Sequence, residues 1–267
     1  MKSNLNIKVS GQKLSLKFIL CLAVIILSNQ AVGRDIYQIK IYSLENEQQE
    51  MRMDKYLKDA YIPALHRAGI RNVGVFKPVK DDDKAGNLIF VLIPYQTIDE
   101  FEQLGTLLNN DEQYQIDGKD YINAAFDDAP YKRIESILLR AFKSMPIYGI
   151  PDHSTSPSDR VYELRSYQAA TEKLYEKKVE MFTDGGESKI FVDLGFQPIF
   201  FGEVLSGSSM PNLMYLTTFK NKESQEKHWN EFRASPAWIS LKEDEQYDNT
   251  VSEIEKYNLQ PTDYSEL

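Results

Sequence analysis

The sequence predicts an α+β fold in which two tandem βαββαβ modules pack sheet-to-sheet as a barrel. Three observations carry this. An octet of alternating character is written twice, as Asp35-Ile36-Tyr37-Gln38-Ile39-Lys40-Ile41-Tyr42 and as Arg160-Val161-Tyr162-Glu163-Leu164-Arg165-Ser166-Tyr167, at a constant spacing of 125 residues. After each copy the same succession of strand-like and helix-like segments follows, and internal repetition of this kind defines the architecture. Between the copies, residues 144–159 hold Pro146, Gly149, Pro151, Pro157 and several serines, the chemistry of a linker.

The N-terminal segment stands apart. Lys2, Lys8, Lys13 and Lys17 form a basic stretch without an acid, the apolar run 18–27 follows, and Ala31 and Gly33 place small residues three and one before Arg34. That layout is expected of a secretory signal peptide over residues 1–33, with export to the periplasm or the medium. Ten apolar residues rise only about 15 Å as a helix, against about 30 Å of hydrocarbon, so no integral membrane segment is expected after cleavage. Removing residues 1–33 takes away the one cysteine, Cys21, and moves the formal net charge from −9 to −13. Packing rather than disulfides must then hold the fold. A nucleic-acid partner is excluded by the charge, because a phosphate backbone would be repelled.

In the first module, residues 34–143, the 35–42 octet has period two and reads as a strand. Residues 47–68 carry Met51, Met53, Tyr56, Leu57, Ala60, Tyr61, Ala64, Leu65 and Ala68 at helical spacing, with Pro63 expected to kink or divide the helix and Gly69 to end it. Residues 72–77 and 87–95 read as a hairpin, 98–108 as a second helix and 131–142 as a closing strand. The second module, residues 160–267, repeats the order. Strand 160–167 leads to helix 170–182, which is interrupted at Asp184-Gly185-Gly186 and resumes to 194. The hairpin 197–205 and 212–219, helix 222–233, a short helix 237–245 and strand 249–258 complete it. Residues 212–216 echo 87–91 at the same spacing of 125, and the polar tail from Gln260 is expected to be loose.

A βαββαβ unit covers only one face of its sheet with helices, so each module must hide its bare face, and each can do so against the other. If Tyr162 and Leu164 pack beneath the helices, then Glu163, Arg165 and Tyr167 point into the space enclosed by the two sheets, as do Leu213, Tyr215, Thr217 and Phe219. An ionised Glu163 or Arg165 in an apolar interior needs a partner or a ligand. The plainer alternative is that the two pair with each other, or with Glu253 and Glu255, and hold the sheets in register. Trp229 and Trp238, around the second helix of this module, are expected at the mouth. His228 beside them is read either as an ordinary packed residue, or as a general base or an axial ligand to haem. No dedicated metal site is expected, since no second His or Cys stands at ligand spacing. Asp81-Asp82-Asp83 lacks the spacing of a calcium loop, residues 184–189 lack that of a phosphate loop, and Ser206-Gly207-Ser208 is a turn rather than a nucleophile elbow.

Residues 161–167, Leu194-Gly195-Phe196 and the run Trp229-Asn230-Glu231-Phe232-Arg233-Ala234-Ser235-Pro236-Ala237-Trp238 together resemble the NIPSNAP family, and residues 35–142 resemble the same module more faintly, without its tryptophan pair. The resemblance implies tandem ferredoxin-like modules of the dimeric α+β-barrel superfamily, whose members include cofactor-free oxygenases, haem enzymes and small-molecule binders. It brings no catalytic residue with it. The reading from the sequence is therefore an exported barrel that binds a small, partly aromatic ligand between its sheets through Glu163, Arg165, Tyr167, Tyr215, Trp229 and Trp238, with no cofactor. An oxygenase or haem-dependent enzyme using His228, and an acidic protein-interaction scaffold, stay open beside it. A homodimer is compatible with all three.

Overall fold

The computed structural model describes residues 33–152 and 154–267; the predicted signal peptide, apart from Gly33, and His153 lie outside the described residues. The first module contributes β1 (Ile36–Ser43), β2 (Gly74–Pro78), β3 (Leu88–Tyr95) and β4 (Arg133–Ala141). From the second come β5 (Val161–Gln168), β6 (Gln197–Ser206), β7 (Asn212–Phe219) and β8 (Glu253–Pro261). The strands close in the order β1-β3-β2-β8-β5-β7-β6-β4, so each module keeps its own order of fourth, first, third, second strand. The modules do more than face each other. Their edge strands pair antiparallel, β2 with β8 through Phe76 and Pro261, and β4 with β6 through Ala141 and Gly202. Closure leaves no sheet edge exposed for a foreign strand.

The repeat is offset by 125 residues in the first strand but by 124 in the third. Gln168 pairs with Asn212 where Ser43 pairs with Leu88, so Asn212 is the counterpart of Leu88 rather than of Asn87. A one-residue slip in a strand turns every side chain to the other face.

Helices lie on the outside. In the first module α1 (Glu47–Tyr56) runs through a π-helical turn, Leu57–Tyr61, into α2 (Ile62–Arg67), and α3 (Ile98–Asn109) is the second long helix. Pro63 therefore neither ends nor divides the helix. The wider turn just before it absorbs the disturbance from its ring and missing donor. Two short helices, α4 (Glu112–Asp117) and α5 (Lys119–Ile122), had no clear periodic signal. The second module carries α6 (Glu172–Phe182), α7 (Glu187–Asp193), α8 (Lys222–Ala234) and α9 (Pro236–Lys242). Matching caps open the long helices: the side chains of Asn46, Thr97, Thr171 and Asn221 each accept from the backbone N–H three residues on.

The facing expected from the sequence is reversed. Tyr37, Ile39, Ile41, Tyr162, Leu164, Met214 and Leu216 fill the barrel interior together with Phe76, Phe90, Phe200 and Leu259. Tyr37 meets Phe200 at 5.0 Å and Phe76 meets Tyr162 at 4.7 Å between ring centroids, and each pair joins one module to the other. Such pairs add about 0.5–1.5 kcal/mol to the burial of the rings. The other face of β5 and β7, with Tyr167, Leu213, Tyr215 and Phe219, packs under α6 to α9. The tail is not loose: Thr262 and Glu266 donate their N–H groups to the carbonyls of Val75 and Val73, and Leu267 joins the interior cluster at 5% exposure.

Candidate functional site

Glu163, Arg165, Tyr167, Tyr215 and Trp229 do come together, but between the second sheet and its helices and not between the two sheets. The choice of face has a physical cause. Inside a closed barrel the strand N–H groups are spent on the ladder, so a carboxylate there would find no donors. On the helix side α8 supplies them. Glu163 is 1% exposed, and its Oε2 accepts from Trp229 Nε1 at 2.7 Å and from Gln225 Nε2. Its Oε1 accepts from both Nε and Nη2 of Arg165 at 2.5 Å, one oxygen shared by two charged donors. Gln225 also donates to Asn258 Oδ1 at 2.8 Å.

Arg165 is the outward pole of this cluster, with its side chain 16% exposed. The guanidinium lies 3.8 Å from the centre of the Trp229 ring, a cation–π stack. Burial opposes its charge, but Tyr215, Tyr167 and Glu163 outweigh that and raise its pKa, so it is a permanent cation. Behind it the hydroxyls of Tyr167 and Tyr215 meet at 2.9 Å with their rings edge-on, and burial drives the Tyr215 phenol well above its usual pKa.

Arg165, Trp229 and Glu163 line a cavity of about 460 Å³ that also receives Lys222, Gln225, Arg233, Lys256 and Asn258. Cations outnumber acids around it, although the chain as a whole is acidic. With Glu163 tied to Arg165 and the Trp229 indole, 7% exposed, covered by the guanidinium, what this wall presents is cationic charge and the outer face of that guanidinium.

Trp238 does not cover a barrel mouth. Its ring lies against Phe232 and 5.9 Å from Lys178 Nζ, on the helix side. Beneath it is an ion pair that the sequence reading missed: Lys178 Nζ and Glu187 Oε2 are 2.7 Å apart, with the two side chains 5% and 1% exposed. Burial raises the Glu187 pKa, while Lys178 and, less strongly, Arg165 hold it down. The signal was present as a lysine on the apolar stripe of α6, between Leu174 and Phe182. Gln225 and Asn258 were missed as well, because a neutral amide on a polar helix face carries no pattern.

His228 lies apart from this cluster. Its Nδ1 stands 2.6 Å from the Ser224 carbonyl, as a donor to it, and its ring packs against Phe196 and Phe219. That fixes the tautomer with the lone pair on Nε2, which faces a separate cavity lined by Gln197, Lys220, Glu223 and Lys227 among others. Phe219 adds apolar surface to those walls, and no step is derived through haem. Among the described residues no group of three His, Cys, Asp or Glu is placed to hold a metal, and no helix is long and apolar enough to cross a membrane.

The first module lacks this constellation. Gln38 stands at the place of Glu163 and Lys40 at that of Arg165. Lys40 Nζ lies 4.9 Å from the Tyr61 ring and 5.2 Å from that of Tyr42, with no carboxylate beside it. Burial pushes its pKa down to about 8.

Comparison with known proteins agrees with this division. The NIPSNAP family model matches residues 162–266. No curated protein sequence matches the chain. Among solved structures, a candidate monooxygenase from Fusobacterium nucleatum subsp. nucleatum ATCC 25586 is similar at 10% identity and a TM-score of 0.56, over 86% of this chain and 93% of that one. Another candidate monooxygenase, from Lactobacillus acidophilus NCFM, is similar at 11% identity and a TM-score of 0.56, over 86% and 94%. An anthrone oxidase-like protein is similar at 10% identity and 0.50, over 86% and 92%. At these identities the likeness is one of fold. The match to the NIPSNAP family model thus falls on residues 162–266, where the buried Glu163–Arg165 pair sits, within a closed eight-stranded barrel.

Proposed function

We propose that the second module binds a small aromatic carboxylate in the cavity at Arg165 and Trp229. The observation that carries this is the guanidinium held 3.8 Å from the centre of the indole at the cavity wall and paired with Glu163. Such preorganisation lowers the entropic cost of binding. Both tryptophans of the chain lie in this module, so their fluorescence reports on the site. Titration with 4-hydroxybenzoate, excited beyond its own absorption, should give saturable quenching. Arg165→Lys keeps the charge but loses the fork and the stack, and should weaken binding by about tenfold or more. If the parent shows no saturable response up to millimolar ligand, or Arg165→Lys binds as well as the parent, the proposal fails.

A second reading takes the bound aromatic as a substrate for oxygenation. It is favoured by the fold shared with two candidate monooxygenases and an anthrone oxidase-like protein. Oxygen uptake with anthrone, above the rate without protein, would support it; a rate equal to the blank would end it.

A further inference from the structure

The Arg165–Trp229 cavity does not stop at Gln225. Beyond it runs a larger groove of about 860 Å³ along the β2–β8 seam where the modules join. Lys222, Gln225 and Asn258 line both spaces, so the hydrogen-bonded amides of Gln225 and Asn258 form a sill between them. The walls come from the β2–β3 hairpin of the first module, the linker, the start of α8 and the end of β8.

The chemistry of this groove differs from that of the first cavity. Its charges balance, with Lys80 and Lys222 against Asp81 and Asp159, none of them in an ion pair among the described residues. Its most frequent groups are carboxamides: Asn221, Gln225, Asn258 and Gln260. Gln225 is only 8% exposed, and its amide nitrogen is committed to Glu163 and Asn258 while its carbonyl oxygen has no partner among the described residues. The amide nitrogen of Asn258 is likewise uncommitted, its oxygen being taken by Gln225. Neither free end is sealed from solvent, so both face the groove, where an amide's unanswered end meets water or a ligand. Groups that both donate and accept, in a groove without net charge, match neighbouring hydroxyls, each of which also donates and accepts. An anion would find no surplus of cations here, and a lipid no continuous apolar wall.

We infer that the seam groove is the sugar-binding half of one elongated site, and that the ligand class is an aryl glycoside. The aromatic carboxylate rests against Arg165 and Trp229, and the glycosyl hydroxyls cross the Gln225–Asn258 sill into the seam. This rests on the aromatic reading of the first cavity and adds the sugar to it. It also gives the joining of the modules a role in recognition, because neither module alone supplies both walls.

The test compares 4-hydroxybenzoate with 4-carboxyphenyl β-D-glucopyranoside, which carries the same ring and carboxylate and a glucosyl group opposite. By tryptophan fluorescence the glucoside should bind the parent about tenfold more tightly, the yield of one or two well-made hydrogen bonds. Gln260→Ala and, separately, Lys80→Ala alter the seam groove without lining the Arg165–Trp229 cavity, and should reduce that advantage to about twofold or less, while leaving 4-hydroxybenzoate binding unchanged. A glucoside that binds no better than 4-hydroxybenzoate overturns the inference and leaves the aromatic site standing. An advantage that persists in both variants overturns the seam as its location. Failure of both compounds to bind removes the aromatic reading and this inference with it.

Discussion

Replacing Glu163 by glutamine tests the buried cluster most directly. The amide keeps the size of the carboxylate but loses its charge and one of its two acceptors. In the parent, Oε1 serves the Arg165 fork and Oε2 serves Trp229 and Gln225. A glutamine can turn its oxygen to only one of these sets, and its NH₂ then faces donors on the other. Each charge-assisted hydrogen bond contributes about 1.5–3 kcal/mol. Removing one member of a buried pair costs about 3–5 kcal/mol. Arg165 retains a little contact with solvent, which discounts this to about 2–4 kcal/mol. In a unit of this size that lowers Tm by roughly 6–12 °C for a loss of about 3 kcal/mol. Urea denaturation at pH 7, followed by tryptophan fluorescence and far-UV circular dichroism, reads the change. Arg165→Met on the Glu163→Gln background should recover part of the loss, with a coupling of about 1–3 kcal/mol. A Glu163→Gln protein within about 0.5 kcal/mol of the parent would refute the description of this cluster as tightly coupled.

Other expectations concern charge and processing. Lys40, with its pKa pushed down from 10.5 to about 8 by burial, costs stability when protonated, a cost fully present below pH 8 and gone above 10.5. Lys40→Met should therefore stabilise by roughly 1–3 kcal/mol at pH 7, with the gain shrinking as pH approaches 10.5; a gain equal at both pH values would contradict this. Lys178→Met leaves Glu187 buried without its cation and should destabilise by about 3–5 kcal/mol at pH 7. Because burial raises the Glu187 pKa, that loss should shrink as pH falls and the carboxyl protonates, and Lys178→Met with Glu187→Met should restore most of it; a pH-independent loss would be the contrary result. Intact mass measurement of protein exported by a bacterial host should give a chain that starts at Arg34, whereas exported protein retaining residues 1–33 would refute the cleavage reading.

The architecture was legible because it rests on local signals. Period-two octets, helical stripes ending near Gly69 and Gly195, and a repeat spacing of 125 residues survive in the order of the letters, and together they specify two βαββαβ modules. The grouping of Glu163, Arg165, Tyr167, Tyr215 and Trp229 was legible for the same reason: residues two apart on a strand share a face, and β5 and β7 are neighbours in such a module. Which face they share was not. Alternation distinguishes two sides of a sheet without saying which one meets helices and which meets the other sheet. That is decided by where donors for a buried carboxylate exist, and only the assembled layers supply Gln225 and Trp229 above Glu163. The one-residue slip between Asn212 and its counterpart Leu88, the edge pairing of β2 with β8, and the meeting of Lys178 with Glu187 are likewise long-range facts. A chain written as a line sets its own periods, but the partners of a charge are chosen only when distant segments close around it.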